Sequence, residues 1–153
     1  IIGTYFVKLG SNNHIMAALY KGLAATAVLS AIVIYFLTDR IVGLDTVYST
    51  ETHTFTGMYL YWCTLAGLVL TGLIVWVTEY YTSTAYRPVR SVAEASTTGH
   101  GTNVIQGLAV SMEATAIPVL LICAAIVFGY VTCGLFGVAI SATTMLALAG
   151  MIV

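Results

Sequence analysis

The pattern along the chain is one of long apolar runs separated by short polar stretches. Residues 22–38 form an uncharged run of 17. Residues 52–78 form one of 27, with an apolar heart at 57–77. Residues 114–153 form one of 40. A helix needs about 20 mostly apolar residues to cross roughly 30 Å of hydrocarbon at 1.5 Å per residue. The first run reaches that length by adding 17–21, with Lys21 snorkelling to the interface. The last is too long for one helix, and Gly129-Tyr130-Val131-Thr132-Cys133-Gly134 offers a turn. The expected architecture is therefore all-α and membrane-integral, with four spans near 17–38, 57–78, 103–130 and 134–153 in one membrane domain. Residues 1–7 read as the tail of an earlier span. Polar connections cover 8–15, 39–56 and 79–102, the last containing Arg87-Pro88, which reads as a helix stop.

Composition sharpens this picture. Only 7% of residues are charged, against roughly 25% in soluble domains, and 59% are hydrophobic. The net charge of −1 and three cysteines argue against nucleic-acid binding, a disordered tail or a disulfide scaffold. Lipid is the expected solvent. Lys8, Lys21, Arg87 and Arg90 fall on one side of the predicted spans and Arg40 on the other, which puts the Lys8 and Arg87 connections in the cytoplasm. Tyr59, Tyr61, Trp62, Trp76, Tyr80 and Tyr81 bracket the second span as interfacial anchors would. The chain begins at Ile1 without Met and ends at Val153 in an apolar run, so it reads as an internal piece of a longer protein.

Two acids stand out. Glu113 lies ten positions after Asn103, about 15 Å along the third span, which suggests a place near the bilayer midplane. A carboxylate there costs about 2.5–3.5 kcal/mol, so it should be protonated, paired or wetted. Pro118 withholds its N–H from the Ala114 carbonyl one turn away; broken helices with nearby acids occur in ion pathways. The blander reading is a protonated acid hydrogen-bonded to a neighbouring helix. Glu79 sits at the end of the second span in Thr78-Glu79-Tyr80-Tyr81-Thr82. It could simply face water, or the flanking hydroxyls could form a relay around it. His14, His53 and His100 are scattered without ligand spacing, and Cys63, Cys123 and Cys133 read as small apolar residues. In the fourth span, Ala139, Thr143 and Ala147 recur at four-residue spacing, as close helix packing would use them. No phosphate loop, metal-binding carboxylate cluster or nucleophile elbow is present.

Longer motifs carry a family likeness. Thr-Glu-Tyr-Tyr-Thr-Ser-Thr-Ala-Tyr-Arg-Pro-Val at 78–89 and Thr-Gly-His-Gly-Thr-Asn-Val-Ile-Gln-Gly-Leu-Ala at 98–109 resemble the membrane-bound inorganic pyrophosphatases, the pyrophosphate-driven proton or sodium pumps. So do Ala18-Leu19-Tyr20-Lys21-Gly22, the stretch 111–118 (Ser-Met-Glu-Ala-Thr-Ala-Ile-Pro) and the stretch 134–140 (Gly-Leu-Phe-Gly-Val-Ala-Ile). The resemblance implies a piece of a sixteen-helix, two-ring fold in which the first three spans belong mainly to the outer ring and the fourth begins an inner-ring helix. It implies Mg2+ and pyrophosphate bound by Asp-rich motifs outside these 153 residues, so that no hydrolytic or metal-binding residue transfers. It does imply a coupling role for Glu79. It further implies proton transport out of the cytoplasm, a homodimer and a multi-pass protein of the bacterial inner membrane. The Gly99-His100-Gly101-Thr102-Asn103 form looks like that of potassium-independent proton pumps. The competing reading is a segment of a secondary ion transporter or channel using Glu113 and the Pro118 break, and a third is a structural scaffold. By the resemblance the 153 residues alone should not hydrolyse pyrophosphate.

Overall fold

The computed structural model describes residues 15–49 and 54–152. The expected tail of an earlier span at 1–7, together with Lys8, His14 and His53, lies outside the described residues. In order, the elements are α1 (Ile15–Leu37), a π-helical turn (Thr38–Val42), β1 (Val47–Ser49), β2 (Thr54–Thr56), α2 (Gly57–Thr82), α3 (Arg87–Thr98) and α4 (His100–Ile152). Among the described residues three helical stretches are long and apolar enough to cross a membrane: Ala18–Val42, Gly57–Thr98 and His100–Leu148. The protein is thus a mostly helical chain of membrane-spanning type.

The third stretch is broken. Cys133 (φ −136°, ψ 16°) and Gly134 (φ 65°, ψ −152°) leave helical geometry, and a positive φ at Gly134 is one that a side chain would oppose. The chain reverses there. A methyl added at Gly137 would stand 2.5 Å from the Gly129 carbonyl oxygen, although eight residues of continuous helix would separate those positions by about 12 Å. The helical segments on either side of the reversal therefore meet at Gly129 and Gly137–Val138.

The described residues fall into two compact units, one drawn from 15–71 and 125–152 and the other comprising 72–124. In the described part of the first unit, the short β-hairpin pairs Val47 with Thr56, Tyr48 with Phe55 and Ser49 with Thr54. It also caps α2. The opening N–H groups of a helix have no partner within it; those of Gly57 and Met58 donate to the Thr46 and Leu44 carbonyls, each at 3.2 Å. Beneath the hairpin, Phe55, Leu60, Cys63 and Cys133 form a buried cluster with Val42 and Ile140 packed against it. Phe55 stacks on Phe136 with ring centroids 6.2 Å apart. The Cys63 and Cys133 sulfurs are 3.9 Å apart and both thiols are free. The buried hydroxyls of Thr64 and Thr71 donate to the Leu60 and Gly67 carbonyls one turn back, so no polar donor is stranded there.

The small-residue packing of the last helix differs from expectation. Ala139, Thr143 and Ala147 are exposed in this chain, whereas Gly137, Ser141, Thr144 and Leu148 are buried. The reason is at Gly67, where an added methyl would meet the Ser141 carbonyl oxygen at 2.5 Å. Backbones approach through the face that carries Gly137 and Ser141, two residues round from the row that spacing alone favours.

In the second unit, Arg87-Pro88 starts a helix rather than stopping one. α2 ends at Thr82, Tyr86 is extended (φ −103°, ψ 162°), and Pro88 lies in the first turn of α3. That position tolerates a residue without an N–H, and the fixed φ of proline already suits a helix that begins there. A 12-residue helix thus occupies much of the connection expected to be polar loop. The Gln106 side chain donates to the Ser91 hydroxyl at 3.2 Å, fastening α3 to α4.

Candidate functional site

The last turn of α2 carries Thr78-Glu79-Tyr80-Tyr81-Thr82. The helix stops in a polar turn: the Ser83 N–H donates to the Glu79 carbonyl at 2.9 Å and the Tyr86 N–H to the Ser83 carbonyl at 3.3 Å. The Ser83 hydroxyl accepts from Ala85 N–H at 3.3 Å, and Arg90 Nε donates to the Thr84 carbonyl at 3.2 Å. Residue by residue, the turn after Glu79 is held by hydroxyls and carbonyls rather than by apolar packing.

The hydroxyl donors beside Glu79 are used locally. Thr78 donates to the Ile74 carbonyl at 2.8 Å and Thr82 to the Thr78 carbonyl at 2.7 Å. The tyrosines reach further. The Tyr81 phenol and the Glu113 carboxylate are near enough to interact electrostatically. Tyr80 meets Tyr81 edge to face at 5.1 Å and Tyr86 in a tilted contact, also at 5.1 Å. Trp76, Val77, Glu79, Tyr80, Tyr86 and Ile117 line a cavity of about 430 Å³.

This geometry brings the two candidate acids into one neighbourhood. Glu79 is half-buried and lines the cavity; Glu113 is exposed and lies within electrostatic reach of Tyr81. It also sets Glu113 beside the end of α2. Counting from Asn103 places that acid half-way across the bilayer, but Tyr81, within electrostatic reach of it, stands one residue before the end of α2. Glu113 is therefore level with a helix end. The count fails because α4 begins at His100 after a helical connection, so its first turns precede the level at which α2 ends. Ile117, one turn beyond Glu113, reaches the same cavity wall.

Tyr81 is the participant that spacing arguments do not single out, because a tyrosine at a helix end is ordinarily an anchor. The only hint was the hydroxyl-rich setting of the motif. Among the described residues no three His, Cys, Asp or Glu side chains cluster in a way that could hold a metal ion. Nor does the site contain a nucleophile paired with a base.

A sequence profile of the inorganic H+ pyrophosphatase family matches residues 1–153. The chain belongs to this family. Relatives agree with the profile. The chain is 56% identical to pyrophosphate-energized proton pump 2 of Rhizobium leguminosarum bv. trifolii, over all of this chain and 71% of the relative. It is 52% identical to the pyrophosphate-energized proton pump of Anaplasma marginale, over 92% of this chain and all of that sequence. The K(+)-insensitive pyrophosphate-energized proton pump of Methanosarcina mazei is 39% identical, with the whole chain covering 22% of it. Within an H+ pyrophosphatase, then, the α2 terminus, Tyr81 and Glu113 form a polar junction between two apolar helices. A junction of this kind can pass displacement between helices.

Proposed function

We propose that this chain is a central membrane segment of a pump that couples hydrolysis of pyrophosphate to two phosphates with the movement of protons out of the cytoplasm. The observation that carries the reading is the match of the family along all 153 residues, together with relatives named as pyrophosphate-energized proton pumps. A secondary transporter or channel has no comparable support.

Within that function the chain's role is coupling. Glu79 and the Tyr81–Glu113 pair lie at the end of α2, where α3 and the first part of α4 meet it. A displacement of the α2 end reaches α4 where Ile117 shares a cavity wall with Trp76 and Tyr80 and where Tyr81 and Glu113 face each other electrostatically, and Glu79 supplies an ionisable group beside them. The Mg2+ that a pyrophosphatase requires neutralises and orients the substrate. By the family resemblance its ligands belong to Asp-rich motifs outside these 153 residues, and the hydrolytic step is not assigned to this chain. A cytoplasmic position for the α2 end follows from Arg87 and Arg90 beside it. A bacterial inner membrane fits the bacterial relatives, and homodimerisation fits the family resemblance.

Potassium independence is part of the proposal, supported by the Gly99-His100-Gly101-Thr102-Asn103 form and by two relatives named K(+)-insensitive. Pyrophosphate hydrolysis by membranes containing the intact protein should require Mg2+ and be unchanged when potassium replaces sodium. A severalfold activation by potassium would contradict it.

A further inference from the structure

Two of the chain's three cysteines meet in the buried cluster beneath the hairpin. Cys63, on α2, is 0% exposed, and Cys133, at the reversal of α4, is 2% exposed. Their sulfurs stand 3.9 Å apart although 70 residues separate them along the chain. Both belong to the first compact unit, and both are free thiols. The contact is therefore internal to one unit, and further chain packed around it can only bury it more.

Small apolar filling accounts for either cysteine alone, but not for the room kept around the pair. A methyl added at Gly137 would stand 3.1 Å from Cys63 Sγ and 2.9 Å from Cys133 Cβ. Cys133 also lies outside helical geometry (φ −136°, ψ 16°), so its side chain is not fixed on a helix face. A disulfide needs its sulfurs about 2 Å apart. The remaining approach of about 2 Å is within what rotation of the two side chains about χ1 covers.

The location favours oxidation. Cys63 is the seventh residue of α2, about 9 Å from its start, whereas Arg87 and Arg90 follow the other end. On the proposed topology the pair lies toward the side away from the cytoplasm, where thiols are not kept reduced.

We propose that Cys63 and Cys133 are a modification site, a dithiol that hydrogen peroxide converts into a disulfide joining α2 to the reversal of α4. Peroxide is small and uncharged, as a buried target requires. One thiol becomes a sulfenic acid while peroxide is reduced to water. The neighbouring sulfur then attacks that sulfur, the S–S bond forms, and the hydroxyl leaves as a second water. The two thiols give up two electrons and two protons, and the peroxide takes both. Buried thiols react slowly, but a second thiol in contact ends the oxidation at the disulfide rather than at the higher acids. The site itself rests on the sulfur contact and not on pumping.

Membranes carrying the intact protein are treated with hydrogen peroxide, unfolded in N-ethylmaleimide, digested and read by mass spectrometry. Cys63 and Cys133 should lose their labelling together, and a cross-linked peptide lacking both thiol hydrogens should appear. Dithiothreitol should restore both labels. Cys63→Ala keeps a small apolar side chain and should leave Cys133 without a cross-link. Labelling of the two cysteines that falls independently, or a cross-link from either to Cys123, would overturn the proposal. So would retention of both thiols through an exposure that oxidises the same protein once unfolded. Proton transport is measured on the same membranes: under the proposed coupling role a fastened α2 slows it, reversibly with dithiothreitol. Unchanged transport with the cross-link formed would count against that role and leave the site standing.

Discussion

At the scale of single residues, the junction between Glu79, Tyr81 and Glu113 makes distinguishable predictions. The Glu113 carboxylate stands within electrostatic reach of the Tyr81 phenol, and the role proposed for the acid is that of a hydrogen-bond acceptor. Gln retains a carbonyl acceptor, and Glu113→Gln should leave the ratio of proton transport to hydrolysis unchanged. Glu113→Leu removes the acceptor and should lower thermal stability or yield of the intact protein, as should Tyr81→Phe, which removes the donor. If Glu113→Gln abolishes transport with hydrolysis intact, the carboxyl itself lies on the ion path. Glu79→Gln tests the opposite case. It removes a charge from the α2 terminus, and proton transport in vesicles should fall by a larger factor than hydrolysis. Parallel loss of both would place Glu79 in general structural support. Glu79 was legible as a candidate from the motif alone. Its companionship with Glu113 was not, because the two are separated by a turn and by α3, and only the starting level of α4 decides where Glu113 stands.

At the scale of elements, glycine contacts decide which helix faces meet. An alanine at Gly67 would place its methyl 2.5 Å from the Ser141 carbonyl oxygen, while a methyl at Gly72, a little over one turn on, meets nothing within 4 Å. Overpacking costs typically about 1–3 kcal/mol, and Gly to Ala in a helix otherwise gains about 1 kcal/mol. Gly67→Ala should therefore lower the thermal unfolding temperature of the intact protein in detergent, and Gly72→Ala should hold or raise it. Equal effects would mean that α2 does not pack where Gly67 indicates. The long apolar runs were readable because hydrocarbon thickness imposes their length. The packing face of the last helix was not: several rows of small residues fit the spacing equally well, and the reversal at Cys133–Gly134, which fixes its rotation, is a tertiary matter. Arg87-Pro88 was misread for a local reason, since proline ends a helix when it comes after one and starts one when it heads it.

At the scale of the whole molecule, the claim is that these apolar helices form part of a pyrophosphate-driven proton pump. Topology is one consequence. With exposed Cys123 replaced by alanine to lower background, cysteines at Ser83 and Asp45 should react with an impermeant reagent from opposite sides of sealed vesicles, Ser83 from the cytoplasmic side. Reaction from the same side would overturn the spans. A second consequence is that the 153 residues alone should not hydrolyse pyrophosphate; magnesium-dependent turnover by this piece would contradict the division of labour proposed. The most direct test uses everted vesicles carrying the intact protein and a fluorescent reporter of internal acidity. On addition of pyrophosphate with magnesium and without potassium, the interior should acidify, and a protonophore should dissipate the gradient while hydrolysis continues. Hydrolysis at full rate in sealed vesicles with no acidification would contradict the account.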